Sequence, residues 1–151
     1  MRHTRDDGYE VDDDPGRIEL DVVHGFLRNA YWSVGVPRDV VERSLRGSVV
    51  VGLYAPDGGQ VGMSRAVTDR ATFAWVADVF VLEAHRGRGL GRMVVAALLD
   101  HPDLQGLRWT MLATADAHEL YRSHGFSELE TPERFMGLSR RSTDASPEPG
   151  R

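Results

Sequence analysis

The chain has 151 residues, 41% of them hydrophobic, which suits one domain with a real core and makes a pair of domains unlikely. Its formal net charge of −5 opposes non-specific binding to nucleic acid or to an anionic membrane. The absence of cysteine excludes disulfide staples, a thiolate nucleophile and a cysteine-rich zinc site, so a cytoplasmic setting is permitted and no metal is required.

Residues 1–16, rich in Asp and Gly, read as a flexible tail, and within them residues 10–14 read as a solvated charge run. The first 15 residues carry Arg and Asp rather than an apolar leader, and no stretch approaches the roughly 20 apolar residues of a membrane span. The folded domain is expected over residues 17–138, with residues 139–151 a disordered tail of Arg, Ser, Pro and Gly. Val22, Val23, Phe26, Leu27 and Ala30 recur at helical spacing over residues 21–32, and a shorter helix follows Pro37 over residues 39–45. The period then changes. Residues 49–53 and 61–67 read as a hairpin about a turn at 55–59, and residues 72–82 as a central strand buried on both faces. A helix over residues 89–100, a strand over 107–113, a short helix over 118–124 and a possible last strand over 134–138 complete the pattern.

Where the central strand hands over to its helix stand Arg86, Gly87, Arg88, Gly89, Leu90, Gly91 and Arg92. Free backbone N–H groups and the helix dipole meet there, glycines let a ligand approach the backbone, and the arginines add charge that suits a pyrophosphate. A G-x-G pair alone is weak and fits an unliganded turn equally. The Rossmann fingerprint fails because its last glycine would be Arg92 or Val94, and no Gly-Lys-Ser or Gly-Lys-Thr provides a Walker loop.

Arg86, Gly89 and Gly91 occupy the fixed positions of R/Q-x-x-G-x-G/A, and the segment resembles the acyl-CoA-binding motif of the GNAT superfamily of N-acetyltransferases. Ala117, Leu120, Tyr121, Gly125 and Phe126 resemble that family's second signature, A-x-x-L-Y-x-x-x-G-F, and with the helix and strands read around the two signatures the resemblance covers roughly residues 48–126. The resemblance implies an α/β (α+β) fold with a mixed, mostly antiparallel sheet, helices on both faces, and a splayed strand pair forming the coenzyme cleft. It further implies acetyl-CoA as cosubstrate. Val79, Phe80 and Val81 would hold pantetheine, residues 87–92 the pyrophosphate, and a strand amide near Val81 the oxyanion. Ala117 and Thr114 would touch the coenzyme, Thr114 standing where many relatives carry Asn.

In that family the tyrosine of the second motif lies near the coenzyme sulfur, so Tyr121 is expected as the general acid that protonates the leaving thiolate; a half-buried packing tyrosine is the bland alternative. Asp78, among apolar neighbours, is the leading candidate base, or else it pairs with an arginine or caps a backbone group. Asp69 and Asp116 are weaker versions of the same idea, and His118 ranks below Asp78. Tyr31 and Trp32, with Asp69, are expected to line an acceptor pocket, although such aromatics also serve as core.

The expected reaction is transfer of acetyl to an amine acceptor by direct attack in a ternary complex, in a monomer or homodimer. A non-catalytic acyl-CoA sensor is the alternative. A nucleic-acid module using the basic residues 85–92 fits poorly with the acidic total.

Overall fold

The computed structural model describes residues 1–140. Its first feature corrects the sequence reading, because Arg2–Thr4 (β1) and Glu10–Asp12 (β2) form an antiparallel hairpin where a tail was expected. The reason is ionic. Glu10 accepts from Arg2 Nε at 2.8 Å, Thr4 Oγ1 at 2.8 Å and Arg17 Nη1 at 2.5 Å, and Arg17 also reaches Asp12 Oδ2 at 2.7 Å. Both of these carboxylates of the supposed solvated run therefore find cations on neighbouring chain, and Glu10 and Asp12 are buried. The proposed tail beyond residue 140 lies outside the described residues.

Two helices follow, Leu20–Leu27 (α1) and Arg38–Arg46 (α2). Then come Ser48–Tyr54 (β3), Gln60–Thr68 (β4), Phe73–Val81 (β5), Leu90–Leu99 (α3), Trp109–Met111 (β6) and His118–Arg122 (α4). Pro132–Arg134 is a 3-10 turn, and the strand expected over residues 134–138 does not form. Phe135, Met136 and Leu138 are all exposed, so the segment gains no buried apolar face to offset the entropy of ordering a strand.

The six strands lie in chain order across one sheet, antiparallel throughout except that β5 and β6 run parallel. One face packs Val49, Val51, Leu53, Val61 and Val76 against Leu90, Val94 and Leu98 of α3. The other packs Met63 and Phe80 against Val23 and Leu27 of α1 and Val41 of α2. Among the described residues no helix is long and apolar enough to cross a membrane.

A break in alternation near the end of β5 decides which side chains reach which face. Asp78 has φ +52°, and the ladder with β4 slips between Met63 and Arg65 to accommodate it. Before this bulge Ala74 and Val76 face α3. Past it Val79 and Val81 pack on that same side and Phe80 turns to the opposite face, where it stacks on Phe26 at 4.1 Å. Regular alternation would have put Phe80 with Val76.

Gly62 keeps β4 close to this segment, since a Cβ there would lie 2.4 Å from the Phe80 carbonyl oxygen and 3.3 Å from Val81 Cα. Gly62→Ala should therefore lower unfolding free energy by about 2 kcal/mol in urea titration, a larger effect than a side-chain clash that can relax. Acid should also weaken the fold. Hydrogen bonds from Arg2, Arg17 and Thr4 hold the Glu10 carboxyl down from its ordinary 4.5 to about 2. A depressed carboxylate stabilises the fold above its ordinary value and ceases to do so as pH falls towards 2, so Arg17→Gln should flatten the acid side of a stability-against-pH curve between those limits.

Candidate active site

The parallel register of β5 with β6 runs Phe73↔Trp109, Ala74↔Thr110 and Trp75↔Met111 and stops there, while β5 continues to Val81. The two chains part as a wedge. Leu82 N–H donates to the Val61 carbonyl at 2.7 Å, so by strand alternation the polar groups of Val81 face away from β4, into the opening. Val79 and Val81 thus present an open backbone edge. Phe80, expected to share in coenzyme binding, has its ring stacked on Phe26 and lines the opening beside it.

At the end of that edge Gly87 and Gly89 adopt φ +77° and +73°, conformations that a side chain would strain. Gly89 is the N-cap of α3, and the helical ladder begins with Met93 N–H donating to its carbonyl at 3.2 Å. The amides of Leu90, Gly91 and Arg92 consequently lack intrahelical partners at the positive end of the helix dipole. Arg86, Gly87, Arg88 and Gly89 are all exposed, so nothing covers the turn. Arg86 sends Nε back to the Val81 carbonyl at 2.9 Å and ties the turn to the open edge. Arg92 is exposed on the first turn of α3, whereas Leu90 is fully buried and anchors that turn in the core.

The opening is a cleft of about 810 Å³ lined by Phe26, Asn29, Tyr31 and Trp32 from the α1 side, by Val79, Phe80, Val81, Glu83 and Arg86, and by Asp116. Tyr31 Oη accepts from Ala115 N–H at 3.2 Å and bridges α1's end to the segment before α4. Tyr121 is buried and not part of that lining, edge-on to Phe126 at 5.9 Å. Burial, helped by nearby Tyr31 and Asp116, pushes its hydroxyl up to about 12. Tyr121, Thr114 and His118 line instead a second hollow of about 870 Å³ between β6, α4 and residues 124–135, which does not include the open edge. The open edge and Arg86, which precedes the glycine turn, line the first cleft. Thr114 uses its hydroxyl to accept from Ala117 N–H at 3.0 Å, shaping the start of α4.

Two expected residues fall elsewhere. Asp69 lies in the β4–β5 turn, at the other end of β5 from Val81 and so roughly 26 Å away by strand rise. There it binds the Thr72 hydroxyl and the amides of Ala71, Thr72 and Phe73, which hold its carboxyl below the usual range, so its role is to close a turn rather than to line an acceptor pocket. Asp78 stands behind the cleft wall. Trp32 Nε1 donates to its Oδ1 at 2.9 Å and Arg65 Nε to its Oδ2 at 2.7 Å, with Arg65 also reaching Ser48 Oγ at 3.0 Å. The arginine-pairing alternative is therefore the arrangement present. Trp32 meets the cleft with its ring while its N–H anchors the bulge. Glu83 and Phe26 line the cleft without having been singled out in the sequence, although Glu83 stands within three residues of the glycine motif and Phe26 lies on the same helical stripe as Ala30.

A family model described as an acetyltransferase (GNAT) domain matches residues 46–128. A candidate acetyltransferase from Gibberella zeae is 32% identical over 90% of this chain and 88% of its own. A crystal structure of a candidate GNAT acetyltransferase from Xanthomonas campestris pv. campestris is 39% identical, covers 87% of this chain and 92% of that one, and superposes with a TM-score of 0.84. Glucosamine-6-phosphate N-acetyltransferase from Arabidopsis thaliana shares the fold at TM-score 0.61 and 15% identity, covering 89% of this chain and 98% of its own.

The Arg65–Asp78 pair is mostly buried, at 13% and 10% side-chain exposure, so leaving either partner alone strands a charge. Arg65→Gln should cost about 3 kcal/mol in denaturant unfolding, and adding Asp78→Asn should recover a third or more of it. Additive losses would show that the two side chains act independently.

Proposed function

The chain belongs to the GNAT acetyltransferase family, and on that premise we propose that it transfers an acetyl group from acetyl-CoA to an amine by direct attack in a ternary complex. The observation that carries this reading is the open edge of Val79 and Val81 running into an exposed glycine turn whose free amides cap α3. A pantetheine chain carries amides that can pair with such an edge, and a diphosphate suits such a turn. Gly87, Arg88, Gly89, Leu90, Gly91 and Arg92 would hold the diphosphate mainly through main-chain N–H groups, with Arg86 adding charge from its remaining donors.

The acceptor amine reaches the thioester from the cleft. Its nitrogen bonds to the carbonyl carbon, the carbon–sulfur bond breaks, and the sulfur takes a proton from Tyr121 while the amine releases one. The Val81 amide, on the open edge, supplies a donor for the developing oxyanion. Asp78 is already engaged by Trp32 and Arg65, so we assign it the holding of the bulge instead of proton abstraction. The released proton leaves towards the carboxylates that do line the cleft, Glu83 and Asp116. With Asp21 they outnumber Arg86, and the rings of Tyr31 and Trp32 lie beside them, which favours a small cationic amine.

Calorimetry with CoA and acetyl-CoA, followed by CoA-release assays over an amine panel, tests the reading. Tyr121→Phe should lower kcat by about 100-fold while CoA affinity stays within about twofold. Because the hydroxyl is raised to about 12, it keeps its proton below that pH, and the wild-type rate should show no alkaline loss from this group up to about pH 10. Full turnover by the Phe variant would remove Tyr121 from the chemistry.

A further inference from the structure

The hairpin that replaces the expected tail touches the glycine turn at two points. Its own turn closes with Arg5 N–H donating to the Tyr9 carbonyl at 2.7 Å and Gly8 N–H to the Arg5 carbonyl at 2.8 Å. From there Arg5 grips Asp7 through Nε at 2.8 Å and Nη2 at 2.6 Å, and donates Nη1 to the carbonyl of Arg88 at 2.9 Å. Tyr9, only 7% exposed, bonds through its hydroxyl to His85 Nδ1 at 2.8 Å, with the two rings edge to face at 5.8 Å. One contact therefore falls before Gly87 and the other after it.

A turn with two positive-φ glycines has many alternatives available, and its amides bind an anion well only if they are held convergent beforehand. The Arg88 carbonyl and the Gly89 N–H belong to one planar trans peptide and point in opposite directions. By holding that carbonyl towards the hairpin, Arg5 fixes the Gly89 N–H to face away from it. Asp7 neutralises most of the charge that Arg5 brings, so the contact supplies alignment more than attraction.

We infer that Arg5 and Tyr9 are positioning residues for the coenzyme diphosphate, acting through the turn of residues 85–89; the inference rests on acetyl-CoA being the ligand of the cleft. The tests are Arg5→Ala, at a partly exposed side chain, and Tyr9→Phe, which keeps the buried ring. Calorimetry should give Arg5→Ala a Kd for CoA about tenfold higher, and Tyr9→Phe about threefold higher. Pantetheine, which lacks the diphosphate, should inhibit both variants as it does the wild type. KM for acetyl-CoA should rise while kcat at saturation holds, with the thermal midpoint unchanged. The double variant should lose less than the product of the two, since both bonds restrain one turn. Wild-type affinity for CoA in Arg5→Ala would overturn the inference, as would equal losses for CoA and pantetheine. A wild-type protein that ignores CoA would instead remove the coenzyme reading, and this one with it.

Discussion

Asp78 leaves strand geometry in a left-handed conformation, and the indole of Trp32 and the guanidinium of Arg65 keep it there, one donor on each carboxylate oxygen. That arrangement governs the remainder of the strand. It directs Phe80 into the α1 face and Val79 and Val81 onto the α3 face, and it turns the backbone of the last residues towards the edge from which β6 has departed, where the Val81 carbonyl takes Arg86. The same indole joins the end of α1 to the strand, so the helical wall of the cleft and its strand wall share one fixed point. A carboxylate in such a place suggests acid–base chemistry from sequence alone, but its partners make it a structural anchor.

The legible parts of this molecule are those in which chemistry and local periodicity coincide. The apolar stripe of Leu90, Val94 and Leu98 announces α3, and the glycines before it announce the turn, because both signals arise from residues close together in the chain. The hairpin of β3 and β4 is readable for the same reason, its β-branched runs flanking a turn around Gly58. Each missed feature depends on a partner distant in sequence. Glu10 and Asp12 look solvated until Arg17 and β3 are placed beside them, and Arg5 looks like tail until Arg88 comes within reach. Asp69 looks like an acceptor ligand because its type is informative, whereas its distance from the open end of β5 emerges only once the sheet is assembled.

The aromatic residues after α1 show how one segment can satisfy two demands. Tyr31 and Trp32 are open in the sequence to either a core or a pocket reading, and the structure gives them some of both. Trp32 buries its N–H on Asp78 while exposing ring surface, and Tyr31 spans to Ala115. The early exit from helical geometry, at Leu27 instead of the end of the apolar stripe, brings both rings to the wedge.

The order of strands across the sheet is the order of strands along the chain, so every antiparallel neighbour is joined without a crossover and only β6 must be delivered by one through α3. The β1–β2, β3–β4 and β4–β5 ladders close small loops and form early, whereas the β2–β3 pairing waits for the segment that carries α1 and α2 and the parallel pairing for the one that carries α3. The wedge is thus bounded on one side by a strand that joins the sheet after the β3–β4–β5 meander and is held by three residue pairs. Amides of β6 should accordingly exchange with solvent sooner than those of β3 and β4, and breathing of that edge widens the mouth of the wedge without disturbing the meander beneath.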